Sequence, residues 1–391
     1  MSDAQLAEAI AARKKELGQS LIVLGHHYQQ DEVIQFADFT GDSFKLSQLA
    51  AERIRQTGAK YVIFAGVHFM AESADILAPP GVAVILPDLG AGCSMADMAN
   101  YDDVIDAWAQ AQDALAGTHT RLIPICYMNS SAAIKAFCGE HGGAVCTSSN
   151  CDRVFRWALA GGEQPRHADE QIKILFLPDQ HLGRNTAASL GFDIDTDMAV
   201  WDPQSPDGLG GLTQDELRRA TFLLWKGHCS VHMLFRPEHV AQIRALWPDV
   251  KVIVHPECTH EVVLLADMTG STEGIIRTIE SAAPGTRWAV GTEVHLVNRL
   301  ARQAAKRGVT VRMLSECQCL CTTMFRIDMP HLLWVMDNLA QGQVVNQITV
   351  PPEVKRWALV ALNRMLRITT EPDKARAWPA PATPALVPAP R

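Results

Sequence analysis

Nucleotide-binding signatures are missing from this chain. It has neither a Walker sequence nor a GxGxxG fingerprint, so no dedicated nucleotide cradle is expected. No apolar run reaches the roughly eighteen residues that a membrane span needs. The first residues, MSDAQLAEAIAARKKELG, read as a charged amphipathic helix without the apolar core of a secretory signal, and we expect a cytoplasmic protein. Nor is there an excess of positive charge: the formal net charge is −8, which argues against general nucleic-acid binding. Pairs spaced CxxC, typical of structural zinc, do not occur, so the histidines complete no zinc-finger pattern. The chain does carry ten cysteines, and a cytosolic setting keeps such thiols reduced.

The 391 residues exceed what one simple core uses, and 48% hydrophobic with 20% charged residues is ordinary for a globular enzyme. Short runs rich in Val, Ile and Leu alternate with helix-like stretches, the pattern of parallel sheets. Strands are expected at 21–25, 61–65, 82–86, 121–126, 172–177, 221–225, 251–254, 287–290 and 309–314, with weaker ones near 37–40, 144–146 and 263–267. These twelve sort into three sets of four.

The sets match feature by feature. The first strand of each ends in a polar pair spaced two apart: His26 and Tyr28, Tyr127 and Asn129, His255 and Glu257. The second ends in a hydroxyl-bearing turn: Gly41-Asp42-Ser43, Cys146-Thr147-Ser148-Ser149, Thr269-Gly270-Ser271-Thr272. The third ends in a histidine before a large apolar residue: His68-Phe69, His181-Leu182, His295-Leu296. The fourth ends in a cysteine turn: Gly92-Cys93, Gly227-His228-Cys229, Cys317-Gln318-Cys319-Leu320-Cys321. Self-similarity of this kind decides architecture. The expected fold is α/β: three pseudo-threefold-related three-layer α/β/α domains with parallel sheets around a central cavity. Boundaries are expected at 1–98, 99–240 and 241–370, the last with C-terminal helices, and 371–391 reads as a disordered Pro/Ala-rich tail.

Ligands of such units bind beyond the carboxyl ends of the strands, so the strand-end residues should converge. Three thiolates from three separated segments suit a metal or cluster with one position left open, which can act as a Lewis acid. Cys126, Cys138, Cys146 and Cys151 read instead as core residues. Glu257 follows an apolar strand, so we expect a desolvated carboxyl with raised pKa, a general base; Tyr28 and Tyr127 could relay a proton. Ser43, Ser148 and Thr272, near helix starts, could cradle phosphate or carboxylates, although each is also a plausible N-cap. His26 and His255 could equally be satisfied core histidines.

The run of motifs resembles a known family. Gly25-His26-His27-Tyr28-Gln29, Gly66-Val67-His68-Phe69-Met70-Ala71-Glu72, Ala91-Gly92-Cys93-Ser94-Met95-Ala96-Asp97, Tyr127-Met128-Asn129-Ser130, Gly227-His228-Cys229-Ser230-Val231-His232 and His255-Pro256-Glu257-Cys258 look like the motif series of the quinolinate synthase family, from about residue 20 to about 340. The resemblance implies condensation of iminoaspartate with dihydroxyacetone phosphate to quinolinate, with phosphate and water released, in NAD biosynthesis. It implies a 4Fe-4S cluster on Cys93, Cys229 and one C-terminal cysteine, and a functional link to L-aspartate oxidase. His26, Tyr28, Ser43, Tyr127, Asn129, Ser148, His255, Glu257 and Thr272 would line the substrate site, with Glu257 and Tyr28 handling protons. His232, three residues after Cys229, would neighbour it. The family's C-x-x-M pattern fits Cys321-Thr322-Thr323-Met324, which favours Cys321 as the third ligand over Cys319. The C-x-C-x-C run here does not map onto the C-x-x-C-x-x-C run of some members. Two other readings stand beside this one: another three-cysteine 4Fe-4S hydro-lyase, and a non-catalytic zinc or metal-sensing module.

Overall fold

The computed structural model describes residues 1–316 and 319–370; Cys317, the tail and the side chains at positions 43, 44 and 47–51 lie outside the described residues. Among the described residues, fourteen strands form three sheets flanked by helices. The first sheet takes β1 (Leu21–His26), β2 (Phe39–Gly41), β3 (Tyr61–Ala65) and β4 (Ala83–Ile85). The second takes β5 (Thr120–Tyr127), β6 (Ala144–Cys146), β7 (Gln171–Leu177), β8 (Met198–Trp201) and β9 (Phe222–Trp225). The third takes β10 (Lys251–Val254), β11 (Met268–Thr269), β12 (Arg287–Gly291) and β13 (Thr310–Met313). β14 (Gln347–Ile348) returns to the first sheet, antiparallel to β4; the other strand pairings are parallel.

With β8 and β14 set aside, the three sheets share one strand order: β2-β1-β3-β4, β6-β5-β7-β9 and β11-β10-β12-β13. In each, successive connections leave the first strand on opposite sides. That reversal opens a crevice beyond its carboxyl end. β1 is buried at all six positions, as expected of a parallel strand covered on both faces by helices. One apolar core runs through the first two sheets and the C-terminal helices, while the third sheet has a separate cluster on each face.

Polar clamps hold the units together around the crevices. Arg299 Nη1 donates to Asp31 Oδ1 at 2.6 Å and to the Gln29 carbonyl at 3.2 Å, tying the third unit to the loop after β1. Asn185 Nδ2 donates to the carbonyls of Pro256 and Cys258, both at 2.8 Å, so the second unit grips the loop bearing Glu257. Trp225 Nε1 reaches the Met98 carbonyl at 2.7 Å. At Gly227 a Cβ would meet the Pro178 carbonyl oxygen at 2.2 Å; only glycine lets the end of β9 press against that of β7. The closing helix, Pro352–Thr370, packs on the helix Ala132–Glu140, where a Cβ at Gly139 would meet the Trp357 carbonyl at 2.0 Å.

Twelve strands were expected; β8 and β14 are additional. β14 has two residues, too few for a pattern, and β8 is a half-buried edge strand beyond β9. The apolar run 263–267 is not a strand. His260–Leu265 is helical, with Val262 buried and Leu264 70% exposed, and the strand is the exposed pair Met268–Thr269. A short apolar run cannot by itself separate the two periods. No helix among the described residues is long and apolar enough to cross a membrane.

Candidate active site

The carboxyl ends of the three sheets meet at one cavity, with about 80 Å³ open to the centre of a water-sized sphere. That is room for a few waters or a small metabolite, not a macromolecule. Cys93 after β4, Cys229 after β9 and Cys321 after β13 all line it, together with the apolar Val67, Phe69, Met70, Met95, Val231 and Met324. Each sulfur accepts backbone N–H groups from the turn that follows: Cys93 from Ala96 and Met95, Cys229 from His232, Cys321 from Met324 and Thr323. Burial pushes the Cys93 thiol up to about 12 and raises the other two, against the pull of those N–H groups. Anionic sulfur in this pocket therefore calls for a bound cation, while the convergent N–H donors are the arrangement that supports cluster sulfur. The donor set fits a three-thiolate group.

The first strand of each unit supplies a wall. His26 Nδ1 accepts the Tyr28 N–H at 3.1 Å, and His255 Nδ1 accepts the Glu257 N–H at 3.3 Å. The same local turn thus presents Tyr28 in the first unit and Glu257 in the third. Burial lowers both histidines to about 3, so both rings are neutral at neutral pH with the proton on Nε2. In the second unit Tyr127 and Asn129 occupy the matching places.

A chain of close polar contacts crosses the cavity from wall to wall. Glu257 Oε2 lies 2.7 Å from His232 Nδ1, and His232 Nε2 lies 3.2 Å from Thr292 Oγ1. Thr292 Oγ1 meets the Tyr28 hydroxyl at 2.8 Å, which is 3.1 Å from Thr272 Oγ1. Tyr127 bonds both Glu257 and Ser148. Burial would raise the Glu257 pKa, but the close approach of His232 Nδ1 and the hydrogen bond from Tyr127 favour the anion and hold the carboxyl below its ordinary value. The raised value expected from the sequence is corrected: the donors come from other segments and stabilise the anion. Burial, then the Glu257 charge, push both phenols well above their ordinary value, so Tyr28 and Tyr127 remain protonated donors.

A family model described as "Quinolinate synthetase A protein" matches residues 8–367. The chain belongs to the quinolinate synthetase A family. It is 55% identical to a quinolinate synthase of Acidobacterium capsulatum, over 94% of each chain. It is 54% identical to one of Nocardioides sp., over 95% of this chain and 92% of that one. A quinolinate synthase of Rhodopirellula baltica is 47% identical over 93% and 91%. It is therefore an enzyme of that family, with the α/β architecture described above.

Of the residues singled out in the sequence of this family member, His26, Tyr28, Cys93, Tyr127, Asn129, Ser148, Cys229, His255, Glu257, Thr272 and Cys321 line the one cavity. The Ser43 side chain lies outside the described residues. Thr272 is not an N-cap: Ser271 caps that helix, leaving Thr272, its first residue, to face the cavity; Asp42 caps the helix Ser43–Thr57 in the same way. Cys319 is fully buried in the core beneath the third sheet, as Cys126, Cys138, Cys146 and Cys151 are in the large core. His68, His181 and His295 do not line the cavity. In two units the residue before the corresponding helix caps it instead: Asp179 accepts from His181 and Leu182, and Glu293 from His295 and Leu296. Thr292 was missed, and Asp42 and Thr147 were noted only as parts of their turns; the Thr292-Glu293 pair just after β12 was the available signal.

Proposed function

We propose that this chain forms quinolinate from iminoaspartate and dihydroxyacetone phosphate, releasing phosphate and water, with L-aspartate oxidase as the source of the imine. Cys93, Cys229 and Cys321 would hold a 4Fe-4S cluster, which when bound supplies a Lewis-acidic iron without a protein ligand. The observation that carries this reading is the meeting of three N–H-supported sulfurs with an ionised, buried carboxylate in one small cavity.

The chain's own residues account for the proton steps. Glu257, ionised, accepts a carbon-bound proton adjacent to the imine or carbonyl. His232 and Thr292 pass that proton toward Tyr28, whose protonated phenol donates to a departing hydroxyl and so yields water. Asn129, Ser148, Thr272 and the N–H groups at the start of the helix Thr272–Glu280 offer donors to the carboxylates and phosphate of the substrates. Tyr127, bonded to Glu257 and Ser148, fixes the base and excludes water.

An oxygen-free assay with both substrates tests the reading: quinolinate should appear, and its absence from iron-loaded protein rejects it. A hydro-lyase would instead dehydrate a hydroxy acid and ignore dihydroxyacetone phosphate. A metal sensor would turn over neither. Iron counts on anaerobic protein separate the C-terminal thiols. Cys321→Ser should lose the cluster and Cys319→Ser should keep it, because Cys321 lines the cavity whereas Cys319 is sealed in the core. Full iron in Cys321→Ser would overturn the assignment.

A further inference from the structure

Cys229 Sγ, His232 Nδ1 and a Glu257 oxygen lie within 4.8 Å of one another, spanning two units. His232 is 1% exposed, and its Nδ1 approaches Glu257 Oε2 at 2.7 Å without a well-aligned hydrogen bond to any atom. This buried ring nitrogen is left without a hydrogen-bond partner, with the thiol and the carboxylate both within 4.8 Å of it. Its other nitrogen is already engaged with Thr292 Oγ1 at 3.2 Å, the outer partner that orients a metal-binding imidazole. The geometry points to a second occupant of the cavity: a single divalent transition-metal ion of the zinc class, held by Cys229, His232 and Glu257.

One sulfur, one nitrogen and one carboxylate oxygen make the mixed set that zinc accepts, with the fourth position left to water. Magnesium and calcium, which want oxygen ligands, are excluded by the same set. Binding displaces the Cys229 thiol proton and any proton held between His232 and Glu257 to solvent. The inference deepens the reading above in one respect: Cys229 is shared, so the single ion and the three-thiolate group exclude each other. A chain that takes zinc first would be closed to cluster assembly, and its base Glu257 would be tied up as a ligand.

Cobalt(II) added to full-length protein prepared anaerobically without iron tests this, because sulfur-to-cobalt charge transfer reports the number of thiolates bound. One equivalent should bind with the intensity of one thiolate, and zinc should displace it. His232→Ala should weaken binding by more than about 100-fold, beyond what loss of an outer-shell partner costs. Cys321→Ser should bind cobalt as the unaltered chain does. Charge-transfer intensity of three thiolates, or loss of binding in Cys321→Ser, would overturn the proposal by placing the ion on the cysteines alone. Should His232→Ala fail to fold, as seen by circular dichroism, Glu257→Gln replaces it with the same expectation of weakened binding. Iron counts on the same variants judge the cluster ligands separately, so the two readings stand or fall apart from each other.

Discussion

Glu257 and Asp179 sit on loops of neighbouring units, 3% and 0% exposed, each following a buried strand of its sheet. Burial opposes ionisation in both, yet their carboxyl groups move in opposite directions. Glu257 is held below its ordinary value because the close approach of His232 and the hydrogen bond from Tyr127 outweigh desolvation. Asp179 is pushed well above its ordinary value, by burial first and then by the charge of Glu257, even though backbone N–H groups of Leu182, His181 and Cys229 bond to it. Its Oδ2 has no partner. In the proposed chemistry the ionised Glu257 serves as the base, whereas Asp179 is biased toward its protonated form and braces the backbone at Cys229. Desolvation is common to both. The donors decide which one carries the charge.

The sharpest way to break this contrast is to remove the charge from Glu257. Glu257→Gln keeps the shape of the side chain but is no base, and turnover should fall about 10²–10⁴-fold with iron content retained. Quinolinate formation near the unaltered rate would take Glu257 out of its assigned role. Loss of iron in step with activity would instead make it a structural support.

Asp179 should behave in the opposite manner. A neutral acid is well imitated by an amide, so Asp179→Asn should retain iron and activity close to those of the unaltered chain. Asp179→Leu leaves backbone N–H groups unsatisfied and should cost about 1–3 kcal/mol of stability, with faster iron loss from Cys229. The pH dependence carries a definite sign. A carboxyl with a raised folded-state pKa contributes fully below the unfolded value and loses its contribution as pH rises through the raised one. Melting temperatures of the unaltered chain should thus fall below those of Asp179→Asn as the medium becomes alkaline. A gap that opens on the acid side instead would mean that Asp179 is ionised.

The difference between these carboxyls could not be read from the sequence. Glu257 itself could be found, because it lies two residues beyond His255, at the end of the first strand of its unit. Strand order then places it at the crevice, as it places Tyr28 and Asn129. The repeated spacing made the three-sheet architecture legible for the same reason. What sets its ionisation is His232, from the second unit, and Tyr127, from the end of β5. Those contacts exist only once the units dock, and a local pattern holds no record of them. Thr292 was hidden in a different way. A threonine closing a strand looks like ordinary turn chemistry until Tyr28 from another unit arrives at 2.8 Å.

A third carboxyl, at the rim, gives the mildest test of the same rule. Glu273 Oε1 lies 3.0 Å from His27 Nε2 and 3.3 Å from Lys45 Nζ, joining the third unit to the first. The bond from His27 leads the forces that lower its pKa to about 2, with partial burial working against them. A depressed carboxyl contributes above its unfolded value, near 4.3, and loses that contribution as pH falls toward 2. Glu273→Gln should therefore be less stable than the unaltered chain at pH 5 to 7, by under about 1 kcal/mol for so solvent-screened a contact. The two should converge as the medium is acidified. If they stay apart at pH 2, the cost of the substitution lies in packing, and partner donors do not govern the rim carboxyl as they govern Glu257.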